Sequence, residues 1–96
     1  MRPSEALETH RAALRAMATR HRVQNLRVFG SVLHAGDTER SDLDLLVDPT
    51  PQTTLMDIAA LQVEAEHMLS VRVDVLTPKS LPAALREQVV REAVPV

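Results

Sequence analysis

The residues with the clearest chemical potential are Gly30-Ser31, at the end of the apolar run Val28-Phe29, and the acids of Ser41-Asp42-Leu43-Asp44-Leu45-Leu46-Val47. The first pair suits phosphate. Gly30 has no side chain and tolerates unusual backbone angles, so the chain can pass close to a polyphosphate, and Ser31 adds a hydroxyl. A short helix starting just after Ser31 would turn its free N–H groups and positive dipole end toward the same anion. The second pair suits a hard cation. Asp42 and Asp44 stand two apart in an apolar run that reads as a strand, so both project from one face while Leu43, Leu45 and Val47 project from the other. One Mg²⁺, which prefers oxygen ligands and keeps several waters, could take both carboxylates.

Gly30-Ser31, then ten residues, then Asp42-x-Asp44 together resemble the core motif of the DNA polymerase beta superfamily of nucleotidyltransferases. Within it, the chain looks like a minimal nucleotidyltransferase, the antitoxin type paired with a HEPN toxin. The resemblance spans roughly Leu26 to Thr77, and the combined motif is far more specific than its parts. It implies a third carboxylate from a later strand, for which Asp74 in Val71-Arg72-Val73-Asp74-Val75-Leu76 is the candidate. It also implies roles: Asp42 and Asp44 bridge two Mg²⁺ ions, Asp74 completes the one that activates the incoming hydroxyl, and Gly30 and Ser31 hold the β- and γ-phosphates. Members commonly read Gly-Ser-x-x-Arg-Gly here, whereas this chain reads Gly30-Ser31-Val32-Leu33-His34-Ala35, with a glycine only at Gly36. Histidine is mostly neutral at pH 7 and lacks arginine's planar fork of donors, so His34 as the nucleotide-binding residue predicts weakened affinity.

The activity implied by the resemblance is Mg²⁺-dependent transfer of a nucleoside monophosphate, AMP from ATP, to an acceptor hydroxyl. In the family the acceptor can be a tyrosine of the HEPN toxin, which the modification silences. The alternative is a catalytically inactive antitoxin or interaction module that neutralises its partner by binding, for which the apolar faces of the terminal helices, including Leu81, Leu85, Val89 and Val90, could supply the interface. A nucleotidyltransferase for aminoglycosides or other small molecules would generally carry a further domain to hold its acceptor.

Composition narrows the field. The 96 residues, read as one domain over 1–96, leave no room for a second catalytic domain or for gripping a primer and template. A formal charge of −2 and a single aromatic, Phe29, argue against a nucleic-acid template and permit free nucleotide. The absence of cysteine removes disulfides, thiolate zinc sites and cysteine nucleophiles, and fits a reducing cytoplasm. No stretch approaches the length of a membrane span, so a soluble protein is expected, alone, as an oligomer or in a hetero-oligomer with its partner.

The elements that must position these residues are legible in outline. Leu7, Leu14 and Met17 mark a helix from about Glu5 to Arg20 with Ser4 as its N-cap. Leu26–Phe29, Leu43–Val47 and Val71–Leu76 read as strands. Leu55, Ile58, Leu61, Ala65 and Leu69 recur at spacings of three and four, giving a helix from about Thr54 to Leu69 with Gln62, Glu64 and Glu66 facing outward. Ser80 is expected to cap a last helix carrying Leu81, Leu85 and Val89, ending before Pro95. Helices alternating with strands favour an α/β sandwich, a small mixed sheet flanked by helices. If the second and third strands are neighbours, Val71, Val73 and Val75 face the core and Arg72 and Asp74 join the carboxylate pair. Read singly, Asp44 and Asp74 are equally solvated strand residues, and Arg72 could be a salt-bridge partner of Asp74. Asp37, Glu39 and Asp48 read as solvated loop charges, and His10, His21 and His67 as surface residues.

Overall fold

The computed structural model describes residues 1–34 and 36–96, so the expectation attached to Ala35 lies outside the described residues. The chain starts with a helix over Pro3–Thr9 (α1) and a second over Arg11–Arg20 (α2), where the sequence predicts one. Pro3 occupies the first helical position, where its fixed φ is preorganised and its missing N–H costs nothing, so the N-cap is Arg2 and not Ser4. The Ser4 amide, an orphan donor of that first turn, is taken by Asp37 Oδ2 at 2.9 Å. Asp37 is therefore buried and not a solvated loop charge. The break falls at His10, whose ring Nδ1 lies 3.1 Å from the Ala6 carbonyl and so competes for an acceptor of the helical ladder. Both segments still bury the predicted stripe of Leu7, Leu14 and Met17.

Four strands follow, Val23–Phe29 (β1), Leu43–Pro49 (β2), Val73–Leu76 (β3) and Val94–Pro95 (β4), in the sheet order β3-β2-β1-β4. β1 is antiparallel to both β2 and β4, and β2 is parallel to β3, which makes the small mixed sheet expected. β4 was not legible in the sequence because it is two residues long and half proline. It is held by its surroundings: the Val96 amide donates to Leu26 O at 3.0 Å, and Arg15 Nη1 donates to Val96 O at 2.7 Å.

A helix over Leu55–Leu69 (α3) connects the parallel strands. Thr54 Oγ1 accepts from the Asp57 amide at 3.2 Å and Asp57 Oδ2 accepts from the Thr54 amide at 2.9 Å, a reciprocal cap that fixes where the helix begins. Leu61, Ala65 and Leu69 are buried as predicted, whereas Leu55, at the exposed first turn, is 85 % accessible. Gln62 and Glu66 do not face outward. Their side-chain oxygens accept from the Val75 and Val73 amides at 3.1 Å each. Four helical residues rise about 6 Å and two strand residues about 6.6 Å, so a helix lying along an edge strand can satisfy alternate N–H groups of that edge. The edge of β3 is thereby closed to further pairing, and Asp74 is gripped between its two bonded neighbours. Glu64 is also engaged, with Arg20 Nη2 at 2.8 Å and His21 Nε2 at 2.7 Å.

The main core forms between α1–α3 and one face of the sheet, with Leu43, Leu45, Val47 and Val73 at 0–1 % exposure. Val71 lies just ahead of β3 and packs against this core from outside the strand. The opposite face is only partly covered: Leu46 and Leu81 are buried apart from the main core, and a 3-10 turn over Pro78–Ser80 packs on β2. A last helix over Ala83–Glu92 (α4) buries none of its residues. Ser80 does not cap it; its hydroxyl accepts from the Thr77 amide at 2.8 Å, and Leu81, held extended before Pro82, delays the helix by a turn. Among the described residues no helix is long and apolar enough to cross a membrane.

Candidate active site

Sheet register brings the acids together. Asp44 of β2 is directly paired with Asp74 of β3, and the Leu43 amide donates to Arg72 O at 2.8 Å, which carries the pairing back toward Asp42. Because side chains alternate along a strand, burial of Leu43, Leu45, Val73 and Val75 sends Asp42, Asp44, Arg72 and Asp74 to the opposite face. Ser41 starts the run: its Oγ accepts from the Thr38 amide at 2.8 Å and its amide donates to Thr38 O at 3.0 Å, closing the turn that delivers Asp42.

Asp44 is the electrostatic centre of the group. Burial, then the charge of Asp74, then that of Asp42 push its carboxyl up to about 6. Asp74 is exposed, and Asp42 is partly so. Arg72 does not pair with Asp74; its Nε lies 3.7 Å from Asp42 Oδ1.

Gly30 joins this acidic face to the loop that follows β1. Phe29 pairs with Asp44 across the β1–β2 ladder, so the next residue passes over the carboxylate. Gly30 has φ +82°, and a Cβ there would overlap Asp44 Oδ2 and stand 3.3 Å from its Cγ. Two independent constraints, backbone angle and space, thus call for glycine. The chain then makes a 3-10 turn over Gly30–Val32, beginning two residues earlier than the helix predicted just after Ser31 and too short to aim a helix dipole. Leu33 N–H donates to Gly30 O and Gly36 N–H to Ser31 O, each at 3.1 Å, while Val32 packs against the core and pins the loop. His34 stands at the loop tip with Nε2 3.7 Å from Glu92 Oε2 of α4.

The predicted residues Gly30, Asp42, Asp44 and Asp74 therefore converge; Ser31 is partly buried in the same turn, and His34 leans toward α4. The side chains are not gathered into a finished metal shell: among the described residues no three His, Asp or Glu groups converge as a ligand set. The donor chemistry nonetheless fits Mg²⁺. All three groups offer hard oxygen, and the repulsion felt at Asp44 is what a dication would relieve. The described grooves lie elsewhere, one lined by Val63, Glu66, His67 and Ser70 and another between α2 and β4 that includes Arg15 and Val96. Sequence reasoning missed three partners, Asp37 under Ser4, Arg72 beside Asp42 and Glu92 beside His34, because each contact joins segments that no local pattern relates.

Comparison with known proteins gives a consistent result. Residues 13–96 match the family model described as polymerase beta, nucleotidyltransferase. The protein adenylyltransferase MntA of Thermococcus cleftensis is 34 % identical over 88 residues, covering 92 % of this chain and 86 % of that protein. A solved structure described as a candidate minimal nucleotidyltransferase superposes with a TM-score of 0.86 at 44 % identity, covering 97 % of this chain and 95 % of the other. A crystal structure of a toxin–antitoxin with AMP-PNP matches in fold, with a TM-score of 0.70 at 21 % identity over 83 % of this chain and 66 % of that one.

Proposed function

Since the chain belongs to the polymerase beta nucleotidyltransferase family and is an enzyme of that kind, we propose that it transfers AMP from ATP to a hydroxyl of a partner protein, a HEPN-type toxin that the modification silences. The observation that carries this reading is the contact between Gly30 and the Asp44 carboxylate, with Asp74 in register beside it. A phosphate-binding turn and an acidic pair in contact is what attack on the α-phosphate requires, because the leaving pyrophosphate and the reacting phosphorus must be held at once.

In this scheme the backbone of Gly30 and the hydroxyl of Ser31 receive the β- and γ-phosphates, and the exposed His34 adds a contact at the outer end of the triphosphate. Asp42, Asp44 and Asp74 would hold Mg²⁺, which when bound neutralises charge on the entering and leaving oxygens. Asp74 stands at the open side of the face, where an acceptor hydroxyl can approach, and orients it. The adenylyltransferase name of the relative and the toxin–antitoxin neighbour bound to an ATP analogue support the choice of AMP, ATP and a toxin.

The test is transfer of label from α-labelled ATP to the purified partner in the presence of Mg²⁺. Label on the partner, lost with Asp42→Asn/Asp44→Asn, is the expected result. Neutralisation of the partner without label, surviving the double variant, would assign the protein to inhibition by binding alone.

A further inference from the structure

Arg72 is a cation on the carboxylate face to which the reaction above gives no task. Resting on that reading of the face, we infer that Arg72 is an exchangeable counter-cation: it holds Asp42 before the divalent ion binds and yields it when the ion arrives.

Its placement is fixed by the backbone. The Arg72 carbonyl accepts from the Leu43 amide at 2.8 Å, which sets Arg72 beside Asp42, and strand alternation sends its side chain to the face that Asp74 occupies. The strength of the pair is what makes exchange feasible. Nε stands 3.7 Å from Oδ1, and the two side chains are 85 % and 37 % exposed. Pairs of this exposure are weak and well screened, so a dication with oxygen preference can displace the guanidinium at little cost. Arg27 and Asp48 supply the internal control. That pair is 2.6 Å apart with the arginine side chain 10 % exposed, and Arg27 Nε also donates to Asn25 O at 2.9 Å. Such an arrangement is built to persist.

Two consequences follow from the charge alone. Without an ion, Arg72 offsets the charge of Asp42 within the acidic group, so removing it destabilises the metal-free protein. With an ion, the same positive charge opposes the incoming one, so removing it tightens the metal. A residue that simply supports the fold would produce the first effect and not the second. Arg72 is thus a positioning residue acting through Asp42.

The experiment is calorimetric titration of the nucleotide-free protein with MnCl₂, paired with thermal unfolding in chelator, for wild type, Arg72→Gln, Arg72→Lys and, as a charge control, Arg11→Gln. Arg72→Gln is expected to bind Mn²⁺ about three- to tenfold more tightly, while Arg72→Lys and Arg11→Gln stay within about twofold of wild type. In chelator, Arg72→Gln is expected to lower the melting temperature by roughly 1–4 °C. That loss should vanish in an Asp42→Asn background. Unchanged or weaker Mn²⁺ binding by Arg72→Gln, or a melting loss that persists without Asp42, overturns the inference and leaves the proposed function standing. Failure of the wild type to bind Mn²⁺ at all removes the metal reading of the face, and exchange at Arg72 falls with it.

Discussion

The two ends of one face of β2 are made from the same residue type and put to opposite use. At the far end, Asp48 is fully engaged: Oδ1 accepts from Arg27 Nη2 at 2.6 Å, and Oδ2 accepts from Asn25 Nδ2 at 2.8 Å. At the near end, Asp42 has one distant arginine, and Asp44 faces Asp74 with its carboxyl pushed up to about 6. Leu46, with no exposed surface, separates the two. The difference teaches where this small protein tolerates electrostatic conflict. Satisfied charge closes the sheet where the chain only needs to hold together, and unsatisfied charge is concentrated where the Gly30 backbone lies against Asp44.

The comparison can be broken most severely at its divider. Leu46→Ala should cost about 2–5 kcal/mol in chemical denaturation, because it empties a fully buried site beneath both ends. Exchanging the two aspartates for asparagine should next separate their functions. Asp44→Asn is expected to reduce transfer by about 10²–10³-fold, in the range for losing one electrostatic contact to a transition state, while raising the melting temperature of the metal-free protein. Asp48→Asn should do the reverse, lowering stability by about 1–2 kcal/mol with transfer unchanged.

A smaller effect lies in pH. Asp44 takes up a proton more readily folded than unfolded, so stability without metal should fall as pH rises from 3.8 toward and through about 6. The gap in melting temperature between wild type and Asp44→Asn should accordingly be narrow at pH 4 and widest above pH 7. A wild-type protein whose stability rises across that window faster than the variant's would contradict the assigned conflict at Asp44. The smallest expected effect is at Asn25, where φ is +61°. Asn25→Gly relieves the backbone and loses the bond to Asp48, a net cost of about 0.5 kcal/mol in denaturation.

Much of the site was legible before any coordinates. Gly30 and the Asp42-x-Asp44 spacing carried the phosphate and cation readings, and strand alternation placed Arg72 and Asp74 on one face, although Arg72 stands beside Asp42 and not Asp74. What escaped were contacts made at a distance along the chain. Gln62 and Glu66 read as outward-facing because helical periodicity describes one helix and ignores a strand edge whose amides need acceptors. Asp37 read as solvated because nothing near it in sequence announces the bare first turn of α1. The helix break at His10 and the two-residue β4 were invisible for a related reason, since ring-to-carbonyl competition and a pairing that depends on Val96 being anchored leave no local pattern.

The sequence by itself determined most of the element types, the core face and which residues the proposed chemistry would use, because periodicity and residue chemistry are local properties. The tertiary structure alone decided that Asp44 meets Asp74 in register, that the Gly30 backbone lies against Asp44, and that Arg72 stands beside Asp42. Those are distances between strands, and they follow from hydrogen-bond register and from which side chains the core can bury, quantities that no single segment contains.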